Sequence, residues 1–99
     1  MSTDRIIVIG DELAGVDAEI IELLAKRMDL VRELELLKRG AGAPIIRPDI
    51  EEQRMASYRI LADEYGISPR FILAIFYHIH AESIRRQLEE RENASKGKI

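Results

Sequence analysis

Leu13, Val16, Ile20, Leu24, Val31 and Leu34 recur at helical spacing, three and four residues apart with one skipped turn. That period places them on one face of a helix. The helix is predicted from about Asp11, as N-cap, to about Arg39, with Gly40 and Gly42 ending it and Pro44 enforcing the stop. A second helix is predicted to start near Pro48, a favourable first helical position. Asp49, Glu51 and Glu52 would serve its dipole, and it would end near Tyr65, before Gly66. A third is predicted after Ser68-Pro69, running to about Glu92. Residues 1–10 read as a lead-in, loosely ordered or helical, and 93–99 as a frayed polar tail. The expectation is one all-α domain over 1–99, with one long and two shorter helices.

The first helix is long for the chain that carries it. About 29 residues at roughly 1.5 Å each make a rod of over ~40 Å. A compact chain of this size would be about 26 Å across. Two shorter helices cannot cover such a rod, so a second copy is expected to, in a two-fold dimer.

The stripe is not purely apolar. Arg27 and Lys38 fall on it, eleven residues apart, which is close to three whole turns and about 16 Å along the axis. A charge on a core-facing stripe is costly unless paired, and an anionic ligand is the expected partner. In the third helix Ile72, Phe76 and Ile79 share a line that continues to Ser83 and Gln87, neighbours one turn apart. Either the stripe surfaces near the helix end, or this polar pair meets a ligand. Glu51, one turn before Met55 and two before Tyr58, is open in the same way: a carboxylate for the helix dipole, or a site residue.

Composition narrows the function. The net charge of −3 argues against a nucleic-acid binder. There is no cysteine, which removes disulfides and thiolate chemistry. No apolar run approaches the roughly 18 residues of a membrane span, and Ile6–Ile9 is too short for the core of a signal peptide. A soluble cytoplasmic protein is expected. His78 and His80 diverge on a helix and read as surface or interface packing, and Met28 and Met55 as core. Arg85, Arg86 and Arg91, alternating with Glu82, Glu89, Glu90 and Glu92, read as a solvated, salt-bridged face.

Taken together, Arg27, Lys38, Glu51, Ser83 and Gln87 resemble, in order and spacing, the all-α (type II, bacterial-type) chorismate mutase family, which includes related isochorismate pyruvate lyases. Val16-Asp17 through Leu23-Leu24-Ala25-Lys26-Arg27 looks like that family's first helix. Pro44-Ile45-Ile46-Arg47-Pro48-Asp49-Ile50-Glu51 resembles its connector, and Ile75-Phe76 followed by Ser83 and Gln87 its third helix. The resemblance covers roughly residues 11 to 90 and implies an intertwined homodimeric helical bundle with two sites. It also implies a small dicarboxylate substrate, chorismate or a close analogue, and an isomerase that needs no metal or cofactor.

The resemblance implies roles as well. Arg27 would grip a carboxylate with its planar fork. Lys38 would donate to the ether oxygen and a carboxylate, and Gln87 to the ether oxygen. Glu51 would accept from the ring hydroxyl, and Ser83 would help hold a carboxylate. The sequence departs from the family at Gly10 and Ile50, where arginines are usual, and at Arg47, where an aspartate is usual. Arg47 is therefore a substrate-binding candidate, and Arg5 and Arg54 are further possible substitutes. Three functions fit: a chorismate mutase, an isochorismate pyruvate lyase or aminodeoxychorismate mutase on the same scaffold, and a non-catalytic regulatory module.

Overall fold

The computed structural model describes the backbone of residues 2–97 and the side chains of residues 3–97. Three α-helices follow in order: α1 (Ser2–Ala41), α2 (Pro48–Glu64) and α3 (Pro69–Lys96). By contacts the chain forms two units, Met1–Leu30 and Val31–Ile99.

The helix boundaries follow local chemistry. Gly42 has φ +68°, a left-handed conformation that costs glycine little. Its N–H donates to the Arg39 carbonyl (3.3 Å), and the Ala43 N–H donates to that of Lys38 (2.8 Å). Those paired bonds form a Schellman cap. Gly66, at φ +66°, ends α2 the same way, with bonds from Gly66 to Asp63 (3.2 Å) and from Ile67 to Ala62 (2.9 Å). Pro48 and Pro69 open their helices, and the Ser68 hydroxyl accepts from the Phe71 N–H at 3.4 Å.

Two predicted boundaries are corrected. Asp11 caps nothing, because α1 runs unbroken from Ser2 through Gly10 and Gly15. An interior glycine costs a helix only about 1 kcal/mol relative to alanine, and good helix formers nearby offset that. The lead-in is thus helical over its described part. The tail is helical as far as Lys96, and Gly97 caps α3. Met1, Lys98 and Ile99 lie outside the described residues.

The first unit exposes its apolar face: Ile6 is 70% accessible, Leu13 60% and Ile20 50%. In the second unit α2 packs on α3. Tyr58 stacks on Phe76 with ring centroids 4.0 Å apart, and its hydroxyl lies 3.3 Å from Nε2 of the buried His80. Beside this stack Leu61, Ala62, Tyr65, Ile67 and Ile72 complete an apolar pocket of about 200 Å³. Among the described residues of the second unit, Val31 and Ala62 are buried and apolar, whereas Glu35, His80, Ser83 and Gln87 are buried and polar. Among the described residues no helix is long and apolar enough to cross a membrane.

Candidate active site

Within the second unit, Cα atoms of α1 and α3 stay more than 8 Å apart among the described residues. Long polar side chains span that gap. Lys38 Nζ donates to the Ile45 carbonyl at 2.8 Å and reaches Gln87 Oε1 at 3.5 Å. Arg91 Nε donates to Glu35 Oε1, and Arg91 Nη2 to the Ala43 carbonyl at 3.0 Å. Arg39 Nη1 donates to the Glu90 carbonyl at 3.3 Å. Because α1 ends at a glycine cap, the connector folds back so that its Ile45 carbonyl faces Lys38.

Ser83 and Gln87 are both buried, at 6% and 5% exposure. The reading in which the α3 stripe surfaces is therefore wrong, and the polar pair continues inward. The Ser83 hydroxyl donates back to the Ile79 carbonyl at 2.8 Å, a common arrangement for serine within a helix. Gln87 Nε2 lies 3.4 Å from the Ser83 carbonyl. Both Gln87 contacts are at the long limit of hydrogen bonding. Weak bonds of that kind are readily exchanged for bonds to a ligand.

The charges near Lys38 are mostly positive. Its pKa lies below the ordinary lysine value, first because of burial and next because of Arg54. Glu35 opposes the shift, while Arg47 and Arg91 add to it. Such crowding of cations is unfavourable alone and becomes favourable around an anion. Arg47 is exposed, with Asp49 3.9 Å away. Arg47 of the connector and Arg54 of α2 are thus both among the cations that act on Lys38.

Glu51 makes none of the contacts just described. Glu51 is half-buried in the first turn of α2, its N–H bonded to the Arg47 carbonyl at 3.0 Å. Among the described residues no ion pair joins its carboxylate to Lys38 or Arg47. Arg27 is half-buried in the first unit. His78 is exposed and His80 packs on Tyr58, in keeping with the packing role read for them. Among the described residues no cluster of His, Cys, Asp or Glu is suited to a metal ion.

Sequence reasoning missed Glu35 and misread Arg91. Glu35 is fully buried and paired with Arg91, which was assigned to the solvated face. The signal was available. Glu35 lies one turn after Val31 and three residues before Lys38, on the first helix's stripe. Arg91 lies one turn after Gln87. Arg85 and Arg86 do form the expected exposed network with Glu82 and Glu89.

The second unit is thus all-helical, with a lysine, a glutamine and several arginines around the gap between α1 and α3. The chain belongs to the chorismate mutase type II family, which matches residues 9–88. It is 36% identical over 73 residues to the T-protein of Enterobacter agglomerans, covering 74% of this chain and 20% of that protein. It is 33% identical over 72 residues to the T-protein of Haemophilus influenzae, covering 73% of this chain and 19% of that one. It is 26% identical over 96 residues to a chorismate mutase of Methanocaldococcus jannaschii, covering 94% of this chain and 97% of that enzyme. The chain therefore spans about a fifth of the T-proteins and nearly all of the archaeal enzyme. No solved structure matches.

Proposed function

We propose that this chain is a chorismate mutase, an isomerase that rearranges chorismate to prephenate. The observation carrying the proposal is the approach of Lys38 to Gln87 across the α1–α3 gap, with Arg47, Arg54 and Arg91 close enough to act on Lys38. The rearrangement is pericyclic: one C–O bond breaks as one C–C bond forms, within a single molecule. The protein's task is to hold the flexible enolpyruvyl arm over the ring and to stabilise negative charge growing on the ether oxygen. Lys38 and the Gln87 amide donate to that oxygen, and Lys38 also contacts a carboxylate. Arg27 grips a carboxylate, and Ser83 and Arg47 assist in binding. Glu51 accepts from the ring hydroxyl.

The working form is an intertwined two-fold homodimer of one domain over residues 1–99. The exposed Ile6, Leu13, Val16 and Ile20 support this, because an apolar face of that extent is costly in water. The protein acts in the cytoplasm, on a small dicarboxylate, without a cofactor.

The test is incubation of purified protein with chorismate, isochorismate and aminodeoxychorismate, with product identification. Prephenate from chorismate is expected. Pyruvate and salicylate from isochorismate alone would assign a lyase. Rearrangement of the amino analogue alone would assign the aminodeoxychorismate mutase. Turnover of none of the three would assign a non-catalytic module.

A further inference from the structure

Glu35 is the most deeply buried side chain described, at 0% exposure. Its Oε1 accepts from Arg91, while its Oε2 is buried with no hydrogen-bond partner among the described residues. A buried carboxylate with one oxygen unsatisfied is a poor choice for stability, since an apolar residue of similar volume would do as well or better. The pair also sits in register with the site. Glu35 and Lys38 lie three residues apart on α1, and Arg91 and Gln87 four apart on α3. The Glu35–Arg91 and Lys38–Gln87 links are thus adjacent rungs across one gap between antiparallel segments.

We propose that Glu35 is a positioning residue that acts through Lys38. Its fixed carboxylate keeps the Lys38 ammonium charged and aimed among the surrounding arginines, and Arg91 holds that carboxylate in place. This inference rests on the role given to Lys38 above. The groups bearing on Lys38 come from every neighbouring element: Glu35 from α1, Arg47 from the connector, Arg54 from α2 and Arg91 from α3. Glu35 is the anion among them, and it alone favours the charged ammonium. Arg91 has two opposed effects, because it anchors Glu35 and also repels Lys38.

Those opposed effects make the test directional. Glu35→Gln keeps an acceptor for Arg91 and removes the charge. Arg91→Gln removes a cation and leaves the carboxylate beside Lys38. The Lys38 ammonium is titrated by NMR in the whole protein, labelled at lysine, and the alkaline limb of kcat/KM for chorismate is measured alongside. Glu35→Gln is expected to lower the Lys38 midpoint by about one pH unit. Arg91→Gln is expected to raise it or leave it in place. A purely structural cross-link predicts the same disturbance from either side. A shift in the same direction in both variants, or no shift in Glu35→Gln, would overturn the proposal. If one variant does not fold, the direction seen in the other decides. The NMR titration needs no turnover. Variants that shift the Lys38 titration as described, in a protein that converts no substrate, would refute the mutase reading and leave the coupling of Glu35 to Lys38 standing.

Discussion

The two units of this chain invert each other's chemistry. Residues up to Leu30 carry an apolar face and leave it in water, with Leu13 60% and Val16 52% exposed. From Val31 onward the buried side chains are mostly polar: Glu35, His80, Ser83 and Gln87 against Val31 and Ala62. A self-sufficient fold would do the opposite in both places. The first unit thus leaves apolar side chains exposed, and the second buries polar ones. The comparison teaches that stability and chemistry are divided along the chain. On the proposed reading, the apolar surface is where a second copy would pack and the polar interior is where a ligand would bind.

The largest expected effect strikes the first unit. Ile20→Asp puts a charge in the middle of the exposed stripe, and an uncompensated charge at a buried interface costs about 3–5 kcal/mol. Sedimentation at micromolar concentration should show loss of the dimer, and helical signal should fall with it. If the variant and the wild type both sediment as folded, cooperative monomers, the stripe is not an interface.

The next effect belongs to the second unit. Lys38→Ala should lower kcat by two orders of magnitude or more, consistent with about 3–4 kcal/mol for one preorganised donor. It should leave the thermal transition in place, since it removes a partly desolvated charge crowded by arginines. A loss of fold together with activity would mean that Lys38 belongs to the structure rather than to the site. The wild-type pH profile is part of the same test. Because the Lys38 pKa is lowered, the ammonium is lost at a lower pH than for ordinary lysine, and kcat/KM should fall there. Gln87→Glu should confine activity to acid pH, because only a protonated carboxyl donates to an ether oxygen. A flat profile in an active variant would remove Gln87 from the mechanism.

A smaller effect is expected at the connector. Arg47→Ala or Arg54→Ala should each weaken kcat/KM by roughly ten- to a hundredfold, the range for one charge-assisted hydrogen bond. Ile50→Arg should then be neutral or harmful, since the local positive charge is already supplied. If both alanine variants keep full activity while Ile50→Arg improves it, the family position is empty and the nearby arginines do not fill it.

Legibility in the sequence followed the range of the interactions. Gly42, Gly66, Pro48 and Pro69 marked helix ends because capping is decided within a few residues. Lys38, Ser83 and Gln87 each break a hydrophobic period, which for Ser83 and Gln87 left two readings open until the set was compared with the family pattern. The start of α1 was not, since Gly10 and Asp11 satisfy a cap rule that a continuing helix overrides. The Glu35–Arg91 pair joins residues 56 positions apart. Glu35 interrupts the first helix's stripe, but Arg91 looks like one more charge in a chain that is 33% charged, and only the meeting of α1 and α3 pairs the two.

The smallest effect is expected where the geometry looks best. Arg85 bonds Glu82 and Glu89 at 2.7 Å each, and Arg86 reaches Glu82 at 3.2 Å. Hydrogen bonds from Arg85, then Arg86, hold the Glu82 carboxyl down at about 2. A carboxylate with a depressed pKa contributes stability above its unfolded value of about 4.3, and that contribution fades as pH falls through the folded value near 2. These side chains are solvent-exposed, however, so water and salt screen the attraction, and ordering long side chains offsets much of the rest. Glu82→Gln should therefore leave the thermal midpoint at neutral pH and moderate salt unresolved from wild type. Glu35→Gln, which disturbs a buried pair between α1 and α3, should shift the Lys38 titration clearly. Thermal melts of both variants in low and high salt would separate the cases. A large, salt-sensitive loss in Glu82→Gln would show that the exposed network stabilises α3, and that burial is the wrong guide to which carboxylate matters here.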